Sequence, residues 1–175
     1  VQDCRISANR MDGLRLEDAR RTRIENNLVY QNGEDGLVLL SPSEGTEIRF
    51  NTFYRNGVHH LREEEPGGSG AIEENILTEG GSDPISLELA SGYQTGSNMV
   101  WANLQPGPSR GFPEGSFEAD PLFVDPFGAD GILGGSGADD DDLRLLPDSA
   151  ANDRGSYPAR DVVLGSQESL ATRTT

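Results

Sequence analysis

Three aspartates and a histidine recur at nearly constant spacing in the first half of the chain. Asp12, Asp35, His59 and Asp83 are separated by 23, 24 and 24 residues. If this spacing is one structural repeat, the four side chains form a stacked file, with adjacent carboxylates near the roughly 5 Å found in retaining glycosidases. A histidine in the file can act as an acid or a base near neutral pH. Because Asp12 and Asp35 each precede a glycine, turn formation is the competing explanation, and we favour it.

Six aspartates crowd a glycine-rich stretch near the C-terminal end. They are Asp125, Asp130, Asp139, Asp140, Asp141 and Asp142. Carboxylate oxygens at this density can surround Ca²⁺, which takes about six to eight oxygen ligands. The spacing does not match an EF-hand loop, and an acidic solvated loop is the alternative. We therefore predict calcium as the one cofactor, as a hypothesis.

Aromatic side chains recur in a column of their own. Tyr30, Tyr54 and Trp101 each lie one residue after an apolar position, so in a strand they point away from the core. On an open face they can stack on sugar rings. Aromatic residues on exposed strands also simply favour β structure. A glycan-binding hypothesis therefore stands beside a structural one.

A repeat of about 24 residues must position these side chains. Asn27, Asn51, Asn75 and Asn98 form one column, and Asn32, Asn56, Gly80 and Asn103 form a second column, which we expect to take the turn conformations between strands. Apolar columns keep the same period: Ile24, Ile48 and Ile72, preceded by Ile6; Met11, Val29, Phe53, Leu77 and Val100; Leu14, Leu37, Leu61 and Ile85; and Leu16, Leu39 and Leu87, interrupted by Glu63.

This registration predicts parallel strands about 4.8 Å apart, in which each side chain stacks on its counterpart in the next rung. The asparagines are then expected to form a hydrogen-bonded ladder. A leucine-rich repeat has a comparable period, but the chain lacks the LxxLxL signature. The predicted fold class is therefore all-β, a parallel β-helix or β-solenoid with a C-terminal cap.

The repeat predicts three regions. Residues 1–103 are expected to form the rungs, residues 104–160 a Pro- and Gly-rich connection, the acidic loop and the cap, and residues 161–175 a polar tail or linker. Two short apolar strands are expected to cover the open edge of the last rung, because an uncovered edge invites aggregation. Their apolar residues are Leu122, Phe123, Val124, Leu143, Leu145 and Leu146.

The C-terminal region resembles a known family. ADPLFVDP (119 to 126), an acidic loop and LRLLPDSAANDRG (143 to 155) are similar to the terminal signature of secreted bacterial right-handed parallel β-helix proteins of pectate-lyase-like type. Asp148 replaces the usual glycine, and Asn152 stands near the usual Ile-Asp. The resemblance implies an extracellular or cell-surface location. The family includes polysaccharide lyases and hydrolases as well as surface proteins, so it assigns no chemistry.

Charge and composition limit the partners. The net charge of −16 argues against nucleic acid and anionic membranes, which leaves glycans or other surface proteins. No apolar run approaches the roughly 18 residues that span a bilayer, so no membrane insertion is predicted. Cys4 is the only cysteine, which excludes an internal disulfide. Since the chain begins at Val1, we expect a fragment or a processed product; its oligomeric state stays open.

The sequence does not complete the catalytic series of the familiar β-helix enzymes. It has neither the clustered carboxylates with Arg and Lys of a pectate-lyase-like elimination nor the NTD, DD, GHG and RIK series of polygalacturonase-like hydrolases. We therefore predict a structural or adhesive module that binds glycan and is stabilised by calcium. The alternative is the C-terminal part of a polysaccharide lyase or glycoside hydrolase whose active face lies mainly upstream.

Overall fold

The computed structural model describes residues 1–81, 85–86, 92–102, 115–134, 140–152, 154, 163–164 and 167–168. Every regular element among them is a β-strand. The strands are β1 Arg5–Ser7, β2 Leu14–Leu16, β3 Arg23–Glu25, β4 Leu28–Tyr30, β5 Leu37–Leu39, β6 Thr46–Arg49, β7 Thr52–Tyr54, β8 Leu61–Glu63, β9 Ser69–Glu73, β10 Ile76–Thr78, β11 Ile85–Ser86, β12 Gly92–Gly96, β13 Met99–Trp101, β14 Phe117–Glu118, β15 Phe123–Asp125, β16 Asp142–Leu145, β17 Val163–Leu164 and β18 Gln167–Glu168.

Strands β1 to β14 form three parallel sheets. Sheet I contains β3, β6, β9 and β12; sheet II contains β1, β4, β7, β10, β13 and β14; sheet III contains β2, β5, β8 and β11. From β1 to β13, consecutive strands belong to different sheets, and each strand pairs in parallel with its counterpart in the next rung. The chain is thus a parallel β-helix of about 4 rungs with about 24 residues each, as the repeat predicted.

Single residues in the left-handed conformation turn the chain at two corners of each rung. Between sheets I and II they are Asn26, Phe50, Glu74 and Ser97, and between sheets II and III they are Gln31, Arg55 and Glu79; Ala102 takes the same conformation directly after β13. Asn32 and Asn56 lie at this second corner, where the repeat placed a turn, but the residue before each of them takes the left-handed conformation. The two asparagines instead contribute side-chain hydrogen bonds.

The interior holds the predicted apolar columns. The buried cluster contains Ile24, Val29, Leu37, Leu39, Ile48, Phe53, Leu61, Ile72, Leu77 and Val100. The placement of Ile6 and Met11 was wrong. Ile6 pairs with Val29 and so belongs to the column of Val29, while Met11 is 55% exposed. The reason is that the first rung keeps nearly its full length instead of being shortened.

The interruption at Glu63 is a real feature of the interior. Glu63 pairs with Leu39 and is buried, and its Oε1 accepts a hydrogen bond from the backbone N–H of Gly68 over 2.8 Å. A polar contact therefore replaces an apolar one where sheet III leads into sheet I. Leu87 and Asn103 lie outside the described residues.

The C-terminal strands lie elsewhere than predicted. Strands β15 and β16 form an antiparallel pair, and Phe123, Leu143 and Leu145 pack beside Tyr30 and Tyr54 on the outer face of sheet II. They do not cover the edge of the last rung, because the outer face of sheet II is itself apolar and needs a partner. Strand β14 pairs with β13 and extends sheet II further along the axis. Strands β17 and β18 form a second antiparallel pair.

Candidate functional site

Asp12, Asp35 and His59 lie on successive rungs in the loops that lead into sheet III. The backbone N–H of Asp35 donates to Asp12 Oδ1 over 3.0 Å, and that of His59 donates to Asp35 Oδ1 over 3.0 Å. These three residues therefore stack as one file, which matches the spacing in the sequence. Asp83, the fourth predicted member, lies outside the described residues.

Asp35 is the centre of this file. It is only 3% exposed. Its Oδ1 lies 2.9 Å from His59 Nδ1, and its Oδ2 accepts a hydrogen bond from Arg62 Nε. Burial alone would raise the pKa of Asp35, but the hydrogen bonds from His59 and Arg62 outweigh burial and lower the pKa to about 2. Asp35 is therefore a permanent carboxylate at neutral pH.

The charges around Asp35 form a connected surface network. Arg15 forms an ion pair with Asp12, and its second terminal nitrogen lies 3.9 Å from Glu64 Oε2. Arg62 lies 3.8 Å from Glu64 Oε1. The hydrogen bond to Asp35 raises the pKa of Arg62, so the guanidinium keeps its charge. We name these six residues, Asp12, Arg15, Asp35, His59, Arg62 and Glu64, the sheet III cluster.

Sequence reasoning missed the arginines of this cluster. In β2 and β8, Leu14 and Leu61 face the core, so the residues that follow them, Arg15 and Arg62, face outward. That alternation could have placed both arginines in one outward column, because Val38 of β5 pairs with Arg15 on one side and with Arg62 on the other. Alone it could not show that both arginines reach Glu64 and the file of aspartates.

The sheet III cluster has a limited range of chemistry. Both oxygens of Asp35 are engaged, and a carboxylate with so low a pKa donates no proton near neutral pH. When His59 carries its proton on Nδ1 and donates it to Asp35, its Nε2 is left as a proton acceptor. In that tautomer the cluster contains one oriented base. The two aspartates of the file accept hydrogen bonds from backbone N–H groups.

The expected open aromatic face does not occur. Tyr30 and Tyr54 are buried beneath the C-terminal strands, and the rings of Tyr54 and Phe123 lie 5.2 Å apart. The guanidinium of Arg55 lies 5.4 Å from the centre of the Tyr54 ring. Only Trp101 is partly exposed among the three predicted glycan contacts. The outward column is an internal packing surface because the chain folds back over it.

Burial also sets the titration of these tyrosines. Burial raises the pKa of Tyr54 to about 12, and it raises the pKa of Tyr30 as well. The Tyr30 hydroxyl donates to Asp141 Oδ2 over 3.2 Å, and the Gly134 N–H donates to the same oxygen over 2.7 Å. Asp141 is buried, and burial raises its pKa. One predicted calcium ligand therefore joins the acidic loop to sheet II.

The other aspartates of the acidic loop also hold local contacts. Asp140 Oδ2 accepts hydrogen bonds from the N–H groups of Ala129 and Asp130, and Asp130 Oδ1 accepts one from Ile132. Asp142 forms an ion pair with Arg144, whose hydrogen bond lowers the pKa of Asp142. Asp125 lies opposite Asp142 in the hairpin. Asp139 lies outside the described residues, within which no three His, Cys, Asp or Glu groups are close enough to hold a metal.

The stacked parallel rungs, with their inward columns and corner asparagines, define a parallel β-helix protein. The family model of the right-handed β-helix region matches residues 1–105, and the chain belongs to that family. No curated protein and no solved structure gave a match. No helix in the described part of the chain is long and apolar enough to span a bilayer.

Proposed function

We propose that this chain is a structural or adhesive β-helix module of an extracellular or cell-surface protein, which contacts glycan and is stabilised by calcium. The observation that supports it most is the state of Asp35, the best-placed candidate acid. Both of its oxygens bind neighbouring side chains, and its pKa is about 2. In this proposal the candidate catalytic groups stabilise the rungs instead.

The adhesive surface in this proposal is polar. The C-terminal strands cover the outer face of sheet II at Tyr30 and Tyr54 but leave Trp101 partly exposed, whereas sheet I carries ion pairs on its outer face. Arg23 and Glu47 lie 3.3 Å apart, and Arg49 and Glu73 lie 3.1 Å apart. Trp101 supplies the aromatic contact, since it is the one predicted aromatic with exposed area.

A glycan array combined with turnover assays on acidic and neutral polysaccharides tests this function. We expect binding without turnover, and weaker binding by Trp101→Ala. Met11→Ala is the matched control, because Met11 is an exposed apolar residue far from β13 in sequence and lies outside the proposed contact. Binding that is unchanged in Trp101→Ala would remove the glycan contact from the proposal.

A second candidate is the C-terminal part of a polysaccharide lyase or glycoside hydrolase. It is favoured by the Asp35–His59 pair, in which a carboxylate orients a histidine that stays partly exposed. The enzyme hypothesis predicts turnover that both Asp35→Asn and His59→Gln abolish while the fold is retained. That result, obtained with the protein in its longest natural form, would overturn the purely structural proposal.

A further inference from the structure

Two Asn-Gly pairs occupy the same corner on successive rungs, between sheets II and III. They are Asn32–Gly33 and Asn56–Gly57. The asparagine is needed for a ladder: Asn32 Nδ2 donates to Asn56 Oδ1 over 2.9 Å, and Asn9 Nδ2 donates to Asn32 Oδ1 over 2.8 Å. Both ladder asparagines are 1% exposed.

The glycine is required by a different contact. A Cβ at Gly33 would lie 2.2 Å from the Arg10 carbonyl oxygen, and a Cβ at Gly57 would lie 2.2 Å from that of Gly33. The next rung repeats the contact at Gly81, at 1.9 Å from the Gly57 oxygen. Backbones stacked this closely exclude every residue with a side chain. On these two rungs the ladder asparagine therefore directly precedes a glycine that the stacking requires, and Asn-Gly is a chemically labile pair.

We propose that Asn32 and Asn56 are self-modification sites, which convert to aspartate and isoaspartate when the rungs separate and so make the opening of the solenoid permanent. The backbone nitrogen of the following glycine attacks Cγ of the asparagine and loses its proton. The side-chain nitrogen leaves as ammonia, and a five-membered succinimide remains. Water then adds to either carbonyl of the ring, which gives the α-linked or the β-linked acid. No oxidant or metal takes part.

The folded structure prevents the attack through both reacting groups. The attacking N–H of Gly33 is hydrogen-bonded to the Asn9 carbonyl over 2.9 Å, and that of Gly57 is bonded to the Asn32 carbonyl over 2.8 Å. The side-chain amides are fixed as well, since Asn56 Nδ2 donates to the Val29 carbonyl over 3.0 Å. The reaction therefore has to wait for a local opening that frees the glycine nitrogen and admits water.

The product does not fit back into the ladder. In Asn32 the Nδ2 group donates to Asn56 Oδ1 and to the Ile6 carbonyl. An aspartate places an acceptor there, so two buried acceptors face each other without a proton between them. An isoaspartate also adds a backbone atom at the corner. A chain that has opened and reacted can consequently no longer refold to the native structure.

The test is to incubate the full chain at mildly alkaline pH, with and without a concentration of urea that removes its β-sheet circular dichroism, and to measure deamidation at each asparagine by peptide mass spectrometry. In urea we expect Asn32 and Asn56 to react fastest. In native buffer we expect both rates to fall by at least about tenfold, which corresponds to an opening free energy of about 1.4 kcal/mol or more.

The matched internal controls are Asn51 and Asn75, which are equally buried ladder asparagines followed by Thr52 and Ile76. Their β-branched neighbours hinder succinimide formation, so they should react slowly in both conditions. Equal rates at Asn32 with and without urea, or rates at Asn51 as fast as at Asn32 in urea, would overturn the proposal. So would equal recovery of native circular dichroism by deamidated and unmodified chains after dilution from urea.

Discussion

At the scale of single residues, Asp35 combines deep burial with an ionised carboxylate. Its carboxylate is almost completely buried, which by itself would favour the neutral acid. His59 and Arg62 supply hydrogen bonds that favour the charged form more strongly. The lowered pKa means that the ionised form of Asp35 is more stable in the folded state than in the unfolded state. The free energy of unfolding therefore depends on pH through Asp35.

Acid should therefore destabilise the protein through Asp35. Because the folded pKa is lowered to about 2, the stabilisation is present above the unfolded pKa of about 3.9 and is lost as pH falls through the folded value. The shift corresponds to about 2 kcal/mol. We expect Asp35→Asn to lower the free energy of unfolding at neutral pH by about this amount and to have a flatter pH dependence between about pH 5 and pH 2. Urea unfolding from neutral pH down to about pH 2 measures both effects, and an unchanged slope would contradict the assignment.

At the scale of elements, the corner asparagines connect one rung to the next. Asn51 accepts hydrogen bonds from the backbone and the side chain of Asn27, and its own Nδ2 donates to the Ile24 carbonyl and to Asn75. Each member thus satisfies buried groups on both sides. Since all of these groups are inaccessible to water, removing one member leaves several donors and acceptors without partners.

We therefore expect Asn51→Ala to lower the free energy of unfolding by about 3 kcal/mol, because Asn27 and the Ile24 carbonyl lose their partners in a buried site. Asn9→Ala is the control, since Asn9 is exposed and water can replace its contact with Asn32. Its cost should stay below about 1 kcal/mol. Denaturant melts of the two variants check the comparison, and equal costs would argue against a cooperative ladder.

Strand β15 offers a second comparison, between its two faces. Phe123 packs on Tyr54, whereas Val124 is 43% exposed. Phe123→Ala should cost about 2 to 3 kcal/mol by removing buried ring area, and Val124→Ala about 0.5 kcal/mol or less. Amide hydrogen exchange in β4 and β7 should rise only in the Phe123 variant, because it uncovers sheet II. No change in exchange would mean that the C-terminal strands do not protect this face.

The sequence predicted contacts between neighbouring rungs well and contacts across the molecule poorly. Ile24, Ile48 and Ile72 fall into one column because each pairs with a residue one period away. Ile6 was misplaced because a period alone does not show whether the first rung is full or short. The burial of Tyr30 depends on Asp141, 111 residues away, and no periodicity links them. The alternation of a strand predicts which side chains point outward, but not whether solvent or another segment of the chain lies against them.

At the scale of the whole molecule, the dominant feature is charge. The chain carries 30 acidic and 14 basic residues, a net charge of −16. Three arginines lie beside acidic partners on adjacent rungs: Arg23 beside Glu47, Arg49 beside Glu73, and Arg55 beside Glu79 at 2.6 Å. The excess negative charge therefore acts as a general repulsion that salt can screen over about 10 Å at 0.1 M ionic strength. Any effect of calcium has to be separated from this screening.

Melting temperatures in NaCl, MgCl₂ and CaCl₂ at matched ionic strength make that separation. Sodium should raise the melting temperature through screening, and calcium should raise it further if the acidic loop holds a site that magnesium, with its stricter octahedral geometry, does not fill. Asp130→Asn should remove the calcium-specific part. Asp120→Asn should keep the calcium-specific part, because Asp120 lies outside the loop. It is a matched control, since both aspartates are exposed and each accepts a hydrogen bond from the backbone N–H two residues ahead. Identical effects of calcium and magnesium would reduce the loop to a solvated acidic segment, held to sheet II through Asp141 and Tyr30.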